Sequence, residues 1–148
     1  DTIDQAAVLA DLPERPSVTR DLRVHGYDPR SEVFGDLGYY GSDAAAVEAL
    51  SRERPEYAER LHERYSLRVA QVVWAARHEM ARTVEDVLAR RTRYLLLDAR
   101  ASVAMAPRVA AVLAQELGRD AAWEREQVES YTALARGYLV PDSFAGAS

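Results

Sequence analysis

Residues 69–80 read Val-Ala-Gln-Val-Val-Trp-Ala-Ala-Arg-His-Glu-Met, and apolar side chains recur there every three to four residues. This spacing places on one helical face the residues Val69, Val72, Val73, Ala76 and Met80. A helix with such a face is stable when the face packs against neighbouring helices. We therefore predict an amphipathic core helix that is capped by Ser66, ends near Arg82 and carries Trp74 on its flank.

Capping and stop signals divide the rest of the chain into further helices. Helix starts are predicted at Ser42, Pro55, Thr83, Asp98, Pro107 and Asp120, with the Pro55 helix ending near His62 and a left-handed C-cap at Gly118. The inward faces are predicted to carry Ala46, Val47, Leu50, Val87, Leu88, Leu95, Leu96, Trp123, Gln127, Tyr131, Leu134 and Tyr138. Thr83 and Asp86 have the spacing of a capping box, with Asp in place of the usual Glu or Gln. The sequence thus predicts an all-α fold, a helical bundle-like domain of about five to seven helices preceded by a long irregular connector.

The first part of the chain has a different composition. Residues 2–12 carry apolar side chains at helical spacing, and Pro13 and Pro16 then end the predicted helix. From Pro13 to Gly41, prolines and glycines are scattered among polar residues without a sustained period, as is typical of a chain that crosses the surface of another domain. We divide the chain into residues 1–41, the end of a preceding domain plus a connector, residues 42–140, the helical domain, and residues 141–148, a frayed tail.

The composition excludes several classes of function. All 19 basic residues are arginine against 24 acidic residues, and the formal net charge of −5 argues against a nucleic-acid-binding protein. The chain has no cysteine, which removes disulfides, thiolate metal sites and cysteine nucleophiles. Its apolar runs are far shorter than the ~20 residues that cross a bilayer, so we expect this part of the protein to be soluble. Arginine without lysine, together with abundant alanine, is typical of a GC-rich genome, and we expect a bacterial source.

Some short patterns invite a catalytic interpretation that the neighbouring residues do not support. His78-Glu79 begins like the H-E-x-x-H zinc helix, but Arg82 stands where the second imidazole is required, so no metal site is expected. No glycine-rich phosphate-binding motif and no nucleophile-elbow motif is present. Glu85 and Asp86 are adjacent and would point about 100° apart on a helix, so we interpret them as charges that compensate the helix dipole.

The sequence Arg90-Arg91-Thr92-Arg93 places several guanidinium groups beside a helix that starts with acidic residues. In one interpretation, these groups clamp the phosphate of a substrate or cofactor through bidentate hydrogen bonds. In the other, Asp86 and Arg90 form an i,i+4 ion pair, while the remaining arginines bind backbone carbonyls or cross to another domain. We favour the structural interpretation, because no second phosphate-binding element accompanies the arginines.

The stretch Arg77–Arg93 reads Arg-His-Glu-Met-Ala-Arg-Thr-Val-Glu-Asp-Val-Leu-Ala-Arg-Arg-Thr-Arg. It closely resembles the signature of the C-terminal helical domain of FAD-dependent glycerol-3-phosphate dehydrogenases. The likeness covers most of the chain, because it extends to Leu22–Gly26, Tyr39–Gly41, Asp98–Ala101, Glu116–Gly118 and Tyr138–Leu139. Arg23 departs from the family pattern, in which proline is frequent at this position.

The resemblance implies a membrane-associated flavoenzyme that oxidises sn-glycerol 3-phosphate to dihydroxyacetone phosphate. In such enzymes FAD passes the electrons to a quinone, whereas oxidase relatives use oxygen. The flavin fold, the substrate-binding arginines and the catalytic base belong to the preceding domain of this family, so no catalytic or cofactor-binding residue is expected in this chain. The expected partners are that FAD and substrate domain, the quinone and the membrane surface, and we also consider a homodimer. We expect a cytoplasmic protein, with the full enzyme peripheral on the cytoplasmic face of the membrane.

The family motif supplies the candidate site residues, which are Thr83, Glu85, Asp86, Arg90, Arg91 and Thr92. We expect these residues to form an interface with the preceding domain, and the fragment alone to be inactive. The chain starts at Asp1 within a predicted helix, which favours an excised domain, and its end at Ser148 lacks the calcium-binding extension of mitochondrial members, so calcium regulation is not expected. The alternative is a stand-alone helical module that binds a partner protein through an apolar or arginine-rich face and has no redox role.

Overall fold

A computed structural model describes residues 2–13 and 18–139 of the chain. The α-helices are α1 (Thr2–Leu9), α2 (Ala44–Glu53), α3 (Val69–His78), α4 (Tyr94–Leu97), α5 (Ala99–Leu117) and α6 (Ala121–Arg136). Short 3-10 segments cover Ser31–Asp43 and Pro55–Ala58, and a π-helix covers Asp86–Arg91. Within the described ranges, an isolated bridge between Arg60 and Arg68 is the one extended pairing, so the predicted all-α fold is confirmed. The predicted stop at Pro16 and the predicted tail, residues 141–148, lie outside the described residues.

Helix α3 lies at the centre of the fold. Every residue from Val69 to Ala76 is buried, including Trp74, which was predicted to lie on the flank. The helix packs against α2, α5 and the π-helix, so it is enclosed rather than amphipathic. Beyond this buried stretch, Arg77 donates two hydrogen bonds to Glu116 of α5, with N–O distances of 2.7 and 2.8 Å. This bidentate pair joins the C-terminal ends of the two helices.

The segment between α2 and α3 contains less helix than predicted. The helix expected from Pro55 to His62 is a 3-10 turn that ends at Ala58. The chain then folds back through backbone hydrogen bonds from Leu61 N to Leu67 O (2.9 Å) and from Val69 N to Glu59 O (3.0 Å). Because this turn fixes the backbone up to the start of α3, Ser66 lies outside the helix, and its predicted capping role is wrong.

The C-terminal end of α3 also differs from the prediction. The helix ends at His78 rather than near Arg82, because Met80 adopts a left-handed φ of 56°. The Ala81 amide then donates to the Ala75 carbonyl at 2.9 Å and closes the helix end. The reversal leaves the Met80 side chain 77% exposed, so its predicted place in the core is wrong.

Helix α5 is continuous where two helices were predicted. Asp98 caps it as predicted, because its carboxylate accepts a hydrogen bond from the Ala101 amide at 3.0 Å. Pro107 lies inside the helix, not in the first turn of a new one. It is on the exposed side, where the carbonyl that loses its partner can bind water, while Met105 and Val109 beside it are fully buried. Packing on the core side therefore maintains the helix through the proline.

Helix α6 begins where it was predicted to begin, but fewer of its residues are buried than predicted. Gly118 ends α5 with a left-handed φ of 63°, and the Asp120 carboxylate accepts from the Trp123 amide at 2.9 Å at the start of α6. Because α6 packs mainly on α5, Tyr131 and Ala135 are its buried residues. Two residues predicted to face inward are substantially exposed, Leu134 at 37% and Tyr138 at 49%.

Helix α4 is a single turn between two sharp changes of backbone direction. Arg93 precedes it with a left-handed φ of 59°, and Asp98 follows it. Val87 and Leu88 of the π-helix are fully buried as predicted, and so is Leu95 at 4% exposure. Leu96 was also predicted to be buried, but it is 65% exposed because a single turn can direct only one side of its surface to the core.

Helix α2 starts at Ala44, two residues after the predicted cap. The 3-10 segment runs through Ser42 and Asp43 into the helix, so Ser42 does not act as the N-cap. The Asp43 carboxylate instead pairs with the imidazole of His25 at 3.1 Å. This later start leaves Ala46 exposed, whereas the buried residues of the helix are Ala44, Val47 and Leu50.

The N-terminal part of the chain contributes little to the core. No residue of α1 is buried, and residues 18–30 form turns without a regular helix. From Ser31 onward, 3-10 turns replace the irregular path that was predicted to continue to Gly41. Among the described residues, no helix is both long enough and apolar enough to span a membrane.

Gly41 permits the closest backbone approach in this region. Its φ of 56° lies in the range that favours glycine. A Cβ atom at this position would lie 1.7 Å from the Gly26 carbonyl oxygen, which itself accepts from the Ser42 amide at 3.0 Å. Gly41 therefore allows the connector to be held against the start of α2.

We expect Gly41→Ala to destabilise the chain much more than Gly35→Ala. Gly35 has nearly the same backbone angles, φ 53° and ψ −121°, but no atom lies within 4 Å of the position that a Cβ atom would occupy there. Both variants lose about 1–2 kcal/mol because of the positive φ, and only Gly41→Ala adds a clash with Gly26. Urea unfolding followed by circular dichroism measures both losses, and equal losses would contradict the importance of the Gly26 contact.

Candidate functional site

The candidate residues gather around the start of the π-helix. The Asp86 amide donates to the Thr83 hydroxyl oxygen at 3.1 Å. In return, the Asp86 carboxylate accepts from the Thr83 and Arg82 amides, each at 3.0 Å. This reciprocal arrangement is the predicted capping box, with an aspartate in the usual Glu or Gln position.

Arg90 joins the adjacent acids Glu85 and Asp86. Its guanidinium donates to Asp86 at 2.7 Å and to Glu85 at 2.6 Å. The wider turn of a π-helix allows Arg90 to reach the residues four and five positions before it. The predicted ion pair between Asp86 and Arg90 is confirmed, and Glu85 is an additional partner of the same guanidinium.

The environment of Asp86 stabilises its ionised form. Burial raises the pKa of this carboxyl, but hydrogen bonds from the Arg82 amide and from the Thr83 and Arg90 side chains outweigh burial. The pKa therefore lies below the ordinary value of 3.8. At neutral pH, Asp86 is a charged acceptor that holds the end of the helix.

Arg91 and Thr92 secure the other end of the π-helix. The amide and the hydroxyl of Thr92 both donate to the Val87 carbonyl, at 3.0 and 2.8 Å. Arg91 donates to the backbone carbonyl of Glu79, as expected for an arginine with a structural role. Burial raises the pKa of the Glu79 carboxyl, and the neighbouring Arg91 charge opposes that rise.

Arg93 lies in a different environment. Its side chain is exposed, and its guanidinium makes no hydrogen bond or ion pair with any of the described residues. Arg91 and Arg93 line one side of a cleft of about 450 Å³, whereas Arg90 does not line it. The guanidinium groups therefore do not converge on one ligand position, which favours the structural interpretation over a phosphate clamp that uses all of them.

Tyr39 and Gln71 line the same cleft, and neither was predicted as a site residue, although Tyr39 lies in a stretch that resembles the family. Gln71 is only 5% exposed, and its side chain accepts from the Arg68 amide at 2.8 Å and donates to the Tyr39 hydroxyl at 2.6 Å. The available signal was an uncharged polar residue within a valine-rich core helix, because such a side chain must find partners when buried.

The residues of the incomplete zinc motif have other partners. The His78 ring stacks on the Trp74 ring, with centroids 4.0 Å apart. The Arg82 guanidinium donates to the Ala76 and Ala81 carbonyls at 3.0 and 3.1 Å. In the part of the chain that the structure describes, no group of three or more His, Cys, Asp or Glu side chains could hold a metal ion.

We expect Asp86→Ala to lower the free energy of unfolding by about 1–2 kcal/mol, because the capped backbone amides lose their acceptor. Glu85→Ala is the matched control, since it removes a half-exposed carboxylate whose one ion pair among the described residues is with Arg90, and should cost less than about 1 kcal/mol. Urea unfolding measures both losses.

The loss of unfolding free energy caused by Asp86→Ala should also depend on pH. Since the pKa of Asp86 is lowered by folding, its stabilising effect is complete above the ordinary value of 3.8 and declines as the pH falls through the lower value of the folded state. The difference in the free energy of unfolding between wild type and variant should therefore become smaller in acid. A difference that grows below pH 4 would contradict the assigned hydrogen bonds.

Comparison with known proteins identifies the family. Residues 18–125 match the family model described as the C-terminal domain of alpha-glycerophosphate oxidase. The chain is also similar to the probable mitochondrial glycerol-3-phosphate dehydrogenase of Caenorhabditis elegans, with 34% identity over 99 residues. That alignment covers 67% of this chain but 13% of the worm protein, so the chain spans a small part of its relative. No solved structure is significantly similar to the chain.

The family match includes the central helix α3, the whole motif from Thr83 to Thr92 and helix α5. The resemblance carried by Arg77–Arg93 is therefore confirmed by comparisons that extend well beyond that stretch. This chain belongs to the family defined by the C-terminal domain of alpha-glycerophosphate oxidase.

Proposed function

We propose that the chain is the C-terminal accessory domain of a flavin-dependent glycerol-3-phosphate dehydrogenase. The reaction is the oxidation of sn-glycerol 3-phosphate to dihydroxyacetone phosphate, with electrons passing through FAD to a quinone. The observation that carries this proposal is the family match over residues 18–125, which agrees with the similarity to the worm dehydrogenase. The stand-alone interaction module is not favoured, because the match includes most of the helical body.

Two glycines of the connector, Gly38 and Gly41, are not open to a phosphate group. A dinucleotide-binding turn needs glycines whose open side admits a phosphate group. At Gly38 and Gly41, a Cβ atom would instead lie 2.8 Å from the Ser31 carbonyl oxygen and 1.7 Å from that of Gly26. The chain's own backbone fills these positions. In line with the family resemblance, we assign FAD, substrate and catalytic residues to the preceding domain, and expect the fragment alone to be inactive.

In this proposal the helical domain shapes the site and does not carry out the redox step. The flavin supplies the redox chemistry when it is bound in the full protein. The helical domain packs against the flavin domain, limits the access of water to its site and orients the surrounding segments. The full protein would be cytoplasmic and peripheral on the membrane, where the quinone accepts electrons, and its association as a homodimer is part of the same proposal. The support for these features is the resemblance of the Arg77–Arg93 stretch to quinone-linked enzymes.

The motif residues Thr83, Glu85, Asp86, Arg90, Arg91 and Thr92 are proposed to face the preceding domain in addition to their contacts within this chain. The Arg90 side chain is 53% exposed and that of Glu85 is 41% exposed, so both retain surface for a second set of contacts. Arg91 and Thr92 line the cleft described above. The internal hydrogen bonds would hold these side chains in place before the domains meet.

The proposal is tested on the native parent protein, captured from its source cells with an antibody against this chain. We expect a chain much longer than 148 residues with a flavin absorption spectrum that bleaches when sn-glycerol 3-phosphate is added without oxygen. The control is sn-glycerol 1-phosphate, which should leave the spectrum unchanged. A colourless protein of 148 residues would overturn the proposal.

A variant of the parent protein tests the role of the motif. Asp86→Ala should reduce flavin content, thermal stability and turnover beyond the loss measured for the 148-residue chain. Asp120→Ala is the matched control, because Asp120 caps α6 through a similar hydrogen bond but lies outside the motif. Unchanged flavin content, stability and turnover in the Asp86 variant would mean that the motif is not an interdomain interface.

A further inference from the structure

Helix α4 exposes an unusual amount of apolar surface for an element inside the helical body. Leu96 is 65% exposed and Leu97 is 72% exposed, although neighbouring Leu95 is buried. Tyr39 and Tyr138 are likewise 63% and 49% exposed. We refer to Tyr39, Arg93, Leu96, Leu97 and Tyr138 as the α4 face.

The residues of the α4 face line neighbouring clefts. One cleft, of about 450 Å³, includes Tyr39, Arg93 and Leu97 in its lining. A second, of about 320 Å³, includes Leu96, Leu97 and Tyr138. Leu97 lines both, so the clefts adjoin at this residue, and we refer to the two together as the strip.

The composition of this strip suits a protein surface more than a small ligand. Exposed leucines and tyrosines supply apolar contact area, and buried centres of protein interfaces are enriched in aromatic residues and arginine. The guanidinium of Arg93 has no hydrogen bond or ion pair among the described residues, so it is available for a carboxylate of the partner. Exposed leucines and tyrosines beside an arginine are typical of a docking site.

We infer that the α4 face is the surface on which the preceding part of the same polypeptide docks, an inference that rests on the proposed function. The family model begins at residue 18, and α1 before it has no buried residue, so α1 does not belong to the core of this domain. The connector carries further exposed apolar residues, namely Val18, Leu22, Val24, Tyr27 and Val33. Tyr39 lies near the end of the connector, in the same 3-10 segment as Val33, so the connector itself contributes an exposed residue to the α4 face.

The match to the worm protein supports the same occupant. It covers 13% of that protein, so most of the relative lies outside the part that corresponds to this chain. A second copy of the chain would leave α1 and the connector still uncovered unless its interface were much larger than the α4 face. The preceding domain accounts for both exposed regions with one partner.

Amide hydrogen exchange tests this inference by comparing the 148-residue chain with the full parent protein. In the isolated chain, the amides of residues 93–100 should exchange quickly, because a single exposed turn opens easily. In the parent they should exchange at least about tenfold more slowly. Equal exchange in the two proteins would overturn the inference, and so would protection in the isolated chain that increases with concentration, since that result identifies a second copy as the occupant.

Charge reversal at Arg93 provides a second test that does not depend on folding defects. Arg93→Glu should leave the melting temperature of the isolated chain unchanged but abolish the exchange protection of residues 93–100 in the parent. The matched control is Arg125→Glu on the exposed surface of α6, about 16 Å along the helix from its end at Arg136, which should preserve that protection. If Arg93→Glu retains full protection, the α4 face is not the docking surface.

The two proposals have separate readouts. The proposed function depends on the flavin spectrum and substrate response of the wild-type parent. The docking surface depends on exchange rates, which are measured in the same way whether or not the parent contains flavin. A colourless parent with protected α4 amides would reject the function and keep the docking surface.

Discussion

Burial of every residue from Val69 to Ala76 in α3 is the constraint on which the other helices depend. A helical stretch without an exposed face must be enclosed, and α2, α5 and the π-helix surround it. The chain reaches these positions through 3-10 turns and through left-handed residues such as Met80 and Arg93. The pair between Arg77 and Glu116 then joins α3 to α5 where the buried stretch ends.

The Asp86 carboxylate has a comparable role at a smaller scale. It caps the backbone before the π-helix and also holds Arg90, so one charged group fixes both the start and the outer side of this element. The end of the π-helix leads through left-handed Arg93 into α4. The direction in which α4 presents its leucines therefore depends on a hydrogen-bond network that is internal to the domain.

The sequence predicts this fold well where the signal is local. The capping box of Thr83 and Asp86, the cap at Asp98 and the left-handed Gly118 require only nearby residues, and all of them are found. Predictions that depended on tertiary context were less accurate. Pro107 is retained within α5 because the core holds both sides of it, and Met80 leaves the core because of a backbone reversal that no residue pattern indicates.

In the candidate site, too, local contacts were predicted from the sequence, whereas contacts that depend on tertiary structure were not. The pairing of Asp86 with Arg90 follows from helical spacing, but the addition of Glu85 requires the wider turn of a π-helix, which the sequence did not indicate. Gln71 and Tyr39 are distant in sequence and meet only because the connector lies against α3. Family resemblance located the motif, and only the fold shows which of its side chains are already committed to partners within the chain.

The contact between Gly26 and Gly41 divides the connector into parts that should differ in their tolerance of length changes. The Gly26 carbonyl binds the Ser42 amide, so the residues between these positions form a closed loop of fixed size. An insertion within that loop must be accommodated without moving either end. Residues 18–24 lie before the closure, so the chain can be lengthened or shortened there without altering the helical body.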